Sequence, residues 1–138
     1  CIGIISVLFM IVFIINISNI SNIKYNDYLD KKDISFIKRE NPKRLYNMYN
    51  YGGELIYNDI PVFIDGRADL YSPYNYKDYL DISVLNNDYV KLIEKYNFDY
   101  FLVDKKYPIN TYLKYNDNYE LIYKNKNILM YKKIVNWC

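Results

Sequence analysis

Histidine is absent from this 138-residue chain. Its absence excludes Ser-His and Cys-His nucleophile pairs, and with them the commonest zinc ligand. Cysteine occurs twice, at Cys1 and Cys138, a spacing that makes neither a metal motif nor a disulfide framework. The redox compartment therefore stays open. Glycine is scarce at four residues, and arginine is scarcer still, at Arg39, Arg44 and Arg67 only. Charge is missing from the start of the chain, where no Lys, Arg, Asp or Glu precedes Lys24. Beyond that point 18 Lys and Arg are interspersed with 16 Asp and Glu, for a net charge of +2 and no basic block. No nucleic-acid partner is expected from such a charge distribution. Any chemistry is left to carboxylates, lysine, tyrosine or a metal.

What the uncharged start does contain is apolar sequence. Residues 1–15 are apolar apart from Gly3 and Ser6. As a helix this run measures roughly 22 Å; carried to Ile20 through Asn16, Ser18 and Asn19 it reaches about 30 Å, the thickness of the hydrocarbon core. A transmembrane helix over residues 1–20 is the expectation, the last of several if hydrophobic segments precede it. A signal-peptide core without its basic start and a buried helix of a soluble domain are the alternatives. Residues 21–41 read as a linker with a short helix, and residues 42–138 have room for one α/β domain. The 19 tyrosines accompany abundant Asn, Lys and Ile, so compositional bias accounts for them as core and surface filler.

Within that domain the periodicities alternate. Asp33 is placed to cap a helix over residues 33–39, which Pro42 ends. Residues 45–49 read as a strand, residues 54–58 as one helical turn in preference to a short strand, and residues 62–64, apolar and partly β-branched, as a strand buried on both faces. Helical signals cover residues 78–85 and 89–96, where Leu85, Tyr89, Leu92, Ile93 and Tyr96 share one face. Residues 100–103 form a second buried strand. Pro108 suits the first position of a helix running to residue 115. Residues 119–124 and 128–133 form a hairpin about Asn125-Lys126-Asn127. Strand, helices and strand make a βαβ unit with parallel strands. The fold class is thus α/β: a small mixed sheet of about four or five strands, with a βαβ unit and a C-terminal hairpin, following the N-terminal apolar helix.

Two segments concentrate the scarce residues: Tyr51-Gly52-Gly53-Glu54-Leu55-Ile56-Tyr57, and Pro61-Val62-Phe63-Ile64-Asp65-Gly66-Arg67-Ala68-Asp69-Leu70-Tyr71. Three of the four glycines and one of the three arginines fall inside them. If the strands at 62–64 and 100–103 are parallel neighbours, Asp65 and Asp104 emerge at one sheet edge, where ligands sit in α/β folds. Asp65, Arg67 and Asp69 are then the candidate substrate-binding residues, with Arg67 as a bidentate anion anchor. The competing account has Arg67 bridging Asp65 or Asp69 simply to fix the loop. Gly52, Gly53 and Gly66 are the candidate structural residues, shaping backbone. Glu54, Asp65 and Asp69 carry oxygens of the kind Mg²⁺ or Ca²⁺ takes, but their spacing matches no EF-hand loop, and no metal or cofactor is expected.

The same two segments resemble the C-terminal region of bacterial polytopic membrane proteins of the GT-C glycosyltransferase type, which include the dolichyl-phosphate-mannose mannosyltransferase-like proteins. The similarity runs from about residue 41 to residue 134. It extends to Leu92-Ile93-Glu94-Lys95-Tyr96-Asn97-Phe98-Asp99-Tyr100 and to Tyr119-Glu120-Leu121-Ile122-Tyr123. It implies a cell-membrane protein whose soluble domain lies on the extracytoplasmic side, with membrane lipid, a polyprenyl-phosphate sugar or a glycan acceptor as partners. Catalytic carboxylates in GT-C enzymes lie in loops between early membrane helices, and this chain holds none of those helices. The resemblance therefore implies an accessory domain that is not catalytic alone, with catalytic residues unknown. A fainter similarity to oligosaccharyltransferase catalytic subunits rests on Tyr49-Asn50-Tyr51-Gly52, which lacks the tryptophan and aspartate of the Trp-Asp-Tyr-Gly pattern. The peptide-acceptor role is not carried over.

Overall fold

The computed structural model describes Met10, residues 28–67 and residues 73–134. The expected membrane helix over residues 1–20 lies outside the described residues except for Met10. Among the described residues no helix is long and apolar enough to cross a membrane.

Helix α1 (Lys31–Glu40) starts at Asp30, three residues before the expected cap. The Asp30 carboxylate accepts the backbone N–H groups of Lys32 and Asp33 at 2.8 and 2.9 Å, while Asp33 accepts the Asp30 N–H at 2.8 Å. This reciprocal box satisfies donors that a helix start leaves orphaned. The helix ends at Asn41, whose φ of 50° is left-handed, just before Pro42 removes the N–H that a further turn needs. The segment expected as linker and short helix belongs to the core: Leu29 and Ile37 are buried in it, and Phe36 stacks on Tyr123 at 4.4 Å. Asp33 is itself buried, and its carboxylate also accepts from the Tyr123 hydroxyl and the Asn125 amide at 2.7 and 2.8 Å.

Strand β1 (Leu45–Asn47) runs parallel to β2 (Tyr100–Asp104), in register Leu45 to Tyr100 and Asn47 to Leu102. Asp99 braces the start of the pair by accepting the Lys43 and Arg44 N–H groups at 3.1 and 2.9 Å. Between them come a 3₁₀ turn (Tyr49–Tyr51) and helices α2 (Gly52–Tyr57), α3 (Pro73–Val84) and α4 (Tyr89–Tyr96). After β2, helix α5 (Ile109–Lys114) leads to the antiparallel hairpin of β3 (Tyr119–Lys124) and β4 (Ile128–Lys133). The sheet is mixed and four-stranded, ordered β1-β2-β4-β3, with β2 antiparallel to β4. Four consecutive buried residues in β2 are what a strand covered on both faces requires.

The small mixed α/β domain and its four-stranded sheet match the expectation, and the parallel unit is built differently. Residues 62–64 form no strand, so the partner of β2 is β1. Pro61 has no N–H to donate. The N–H groups of Phe63 and Ile64 go to the Asn47 side-chain oxygen at 2.8 and 3.4 Å, and the Asn47 amide donates back to the Ile64 carbonyl at 2.8 Å. One buried side chain thus stands in for a ladder strand. Below it, Tyr46 packs its ring 5.4 to 5.8 Å from Phe63, Phe98 and Phe101. Its hydroxyl bonds Ser83 Oγ at 2.7 Å, and burial pushes the phenol well above its ordinary value. Tyr46 and its buried neighbours are core, as composition suggested.

Candidate binding site at the carboxyl ends of the parallel strands

Met48 leaves β1 still bonded to the sheet, its N–H reaching the Leu102 carbonyl at 3.2 Å. The 3₁₀ turn then delivers Gly52 onto the other motif segment. A Cβ built on Gly52 lies 2.5 Å from Asp65 Cα and Cβ and 2.6 Å from the Ile64 carbonyl oxygen. Only a residue without a side chain allows that approach. Gly53 and Gly66 face open space, and no described glycine has a positive φ. Of the three structural glycines, Gly52 alone meets a steric demand.

Asp65 sits at this contact, 1% exposed. Its carboxylate accepts the Arg67 backbone N–H at 2.8 Å. It also accepts the guanidinium in a fork, from Nη2 at 2.7 Å and from Nε at 3.1 and 3.3 Å. Charge-assisted bidentate pairs of this kind are the strong ones, and they fix geometry. The pair is lopsided: the Arg67 side chain is 61% exposed and that of Asp65 only 2%. Tyr49 ties down the turn between them, donating its hydroxyl to the Gly66 carbonyl at 3.2 Å. Asp69 lies outside the described residues.

The remaining polar groups near these strand ends are committed elsewhere. Asp104 accepts the Lys106 backbone N–H at 3.0 Å and faces its ammonium at 3.6 Å. Lys105 turns to the β3–β4 turn, donating to the carbonyls of Asn125 at 2.6 Å and of Lys126. Glu54, read from sequence as an oxygen donor, accepts the Tyr28 and Leu29 N–H groups at 3.0 and 2.7 Å. It clamps the chain where it arrives from the apolar segment. Among the described residues no group of three or more Asp, Glu or Cys is placed to hold a metal.

A cavity of about 30 Å³ opens between Tyr28, Tyr51, Tyr79, Asp104 and Tyr107. That is room for a water molecule and not for a sugar. Burial, and after it the Asp104 charge, pushes the Tyr51 phenol upward, so it stays a neutral donor at physiological pH. No nucleophile beside a base is present among these groups. What they form is a hydrogen-bonded corner with a partly exposed guanidinium, a group that can contact an anion or a hydroxyl at the surface.

Sequence reasoning found Asp65, Arg67 and Gly52, which the fold brings together from positions up to 15 residues apart in the chain. It missed Asn47, which ties residues 63 and 64 to the sheet. The available signal was a single amide between Tyr46 and Met48 in a strand otherwise fit for burial. Glu54 as a clamp had no signal, because its partners are backbone groups some 25 residues upstream. No protein-family model, curated protein or solved structure matches the chain.

Proposed function

We propose that the chain is the extracytoplasmic C-terminal domain of a GT-C-like membrane glycosyltransferase, anchored by residues 1–20. The domain positions an acceptor or a polyprenyl-phosphate-linked sugar at the membrane surface, and Arg67 supplies the polar contact. One observation carries this reading: the two segments on which the family resemblance rests pack onto each other through Gly52 and Asp65, with Arg67 held at the outer side of that contact. Catalysis belongs to early membrane loops that this chain does not include.

The test is transfer activity of the intact protein carrying Arg67→Ala, beside Asp65→Asn/Arg67→Ala, which removes the buried charge together with its partner. Full folding with activity lowered at least about tenfold supports the reading; one well-made charge-assisted contact is worth about 1.5–3 kcal/mol, and 1.4 kcal/mol is a factor of ten. A folded double variant with undiminished transfer refutes it. Arg67→Lys, which keeps the charge and loses the fork, should fall between.

A second reading, a non-catalytic packing domain of a membrane complex, is favoured by the closure of the Asp65 charge within its own loop. Co-purification of a protein partner, with no binding of glycans or polyprenyl phosphates to the domain, would support it over the first.

A further inference from the structure

We infer that the face formed by Tyr28 and Tyr57 rests in the headgroup region of a lipid bilayer, fixing how the domain stands on the membrane. The inference depends on the anchoring role proposed for residues 1–20.

Three observations converge on this face. First, its aromatic rings are open to solvent: Tyr28 is 54% exposed and Tyr57 87%. A tyrosine carries an apolar ring and a polar tip, the combination enriched where membrane meets water. Second, the two tyrosines flank one side chain, that of Glu54. Glu54 holds the Tyr28 N–H at 3.0 Å, and Tyr57 follows Glu54 at i+3, which puts it beside Glu54 on the surface of α2. The Tyr28 ring itself lies 6.3 Å from that of Tyr51, just before the helix. Third, the reach of the chain limits where the face can stand. Only residues 21–27 separate Ile20, the end of the apolar run, from Tyr28. Eight fully extended steps cover at most about 29 Å, and any turn shortens that. The clamp by Glu54, with the Asp30–Asp33 box just beyond it, removes slack from the domain side of the connection.

Charge does not recommend a particular lipid. Lys31 and Lys32 are exposed here, but Asp30 and Glu54 balance them. Association is therefore through the tyrosine rings, and it should be insensitive to salt and to anionic lipid. Tethering makes even a weak contact persistent, since a short linker sets a high effective concentration.

The full chain is prepared with Trp137, its single tryptophan, replaced by phenylalanine and one reporter introduced, Tyr57→Trp or Tyr115→Trp. Tyr115 is 74% exposed and follows α5, next to the β3 start that pairs with Lys133, at the end of the sheet remote from the Asp104 edge. Each variant is reconstituted into phosphatidylcholine vesicles with and without acyl chains brominated close to the headgroup. Insertion to an interfacial depth of roughly 5–10 Å brings the ring within quenching contact, so residue 57 should lose about half or more of its emission. The reporter at residue 115 should lose almost none, and 0.5 M salt should change neither. If the chain floats with the vesicles but the residue 57 reporter is quenched no more than that at 115, docking is refuted and anchoring survives. A blue shift at 57 without quenching means protein covers the face, and also refutes it. Failure to float overturns the anchoring reading, and this inference with it.

Discussion

Replacing Gly52 with alanine should unfold the corner on which the two motif segments meet, while the same change at Gly53 should strengthen it. At Gly52 the new methyl lies 2.5 Å from Asp65 Cα, about 1 Å inside the usual carbon contact of ~3.5 Å. A flexible side chain would swing away; backbone held on its far side cannot. Ile64 accepts from Asn47 at 2.8 Å and Phe63 donates to it at 2.8 Å, so retreat by residues 63–65 breaks buried hydrogen bonds. Overpacking at about 1–3 kcal/mol, with orphaned backbone groups at about 1–3 kcal/mol each, gives a loss of roughly 3–5 kcal/mol. For a domain of this size, at about 3–5 °C per kcal/mol, the melting temperature should fall by about 10–20 °C. Gly53 meets nothing within 4 Å and lies in α2, so alanine there should add about 0.5–1 kcal/mol and about 2–4 °C. Thermal melts of the full chain in detergent, followed by tyrosine near-ultraviolet circular dichroism, compare the neighbours under identical conditions. A Gly52→Ala melt within about 2 °C of the parent, or a matching drop at Gly53, would refute the close-approach argument.

Two further perturbations probe what holds the corner and the hairpin. Asn47→Ala should cost about 2–4 kcal/mol by leaving buried groups of residues 63 and 64 unpaired, and should speed hydrogen exchange at the Phe63 and Ile64 amides; continued protection there would show that another group satisfies them. At alkaline pH, burial pushes Tyr119 to about 12, and burial with the Asp33 bond pushes Tyr123 to about 12. An unfolded tyrosine loses its proton near 10, so the stability these phenols contribute is complete below pH 10 and is lost as pH rises from 10 towards 12. Phenolate absorbance and circular dichroism should change together in that window, with a shallower dependence in Tyr123→Phe. Early ionisation of both phenols in a chain that stays folded would contradict this.

Local pattern was legible wherever local forces decide the structure. The hairpin spans match residue for residue because the chain turns at Asn125-Lys126-Asn127, and α4 follows the spacing of Leu92, Ile93 and Tyr96. Errors arose where a distant group competed. Asp33 looked like a cap because it precedes an apolar face, yet Asp30 caps the helix and Asp33 is drawn to Tyr123, 90 residues away. Leu85 looked helical by spacing, but the helix ends at Val84 and Leu85 takes a φ of 57°. Residues 62–64 have the composition of a buried strand, but only Ile64, 1% exposed, is fully buried, while Val62 and Phe63 are half-buried. What they lack is a backbone neighbour, since Asn47 occupies that place. Of the site, residue types and proximity were readable, whereas the split between an enclosed Asp65 and an outward Arg67 needed the fold.

That split constrains how the loop can bind anything. A ligand that drew Arg67 away would leave the buried Asp65 carboxylate without its guanidinium, at a cost that solvent screening of the exposed Arg67 moderates. Such a ligand would have to recover that cost before gaining affinity. A ligand that contacts the exposed part of the guanidinium, leaving the Nε and Nη2 bonds to Asp65 intact, keeps that pair together and meets a group already held in place. Pre-organisation of this kind favours ligands offering oxygens at the surface, such as a phosphate or a sugar hydroxyl, over one that must enter the fold. The 30 Å³ cavity nearby leads to the same preference, since it admits water and nothing larger. A buried Asp65 and an exposed Arg67 are therefore compatible with the proposed surface contact, in which Asp65 supports the guanidinium. Under this account Asp65→Asn, alone, should weaken binding through the orientation of Arg67 while leaving its charge in place, an effect a purely structural ion pair would not produce in a folded variant.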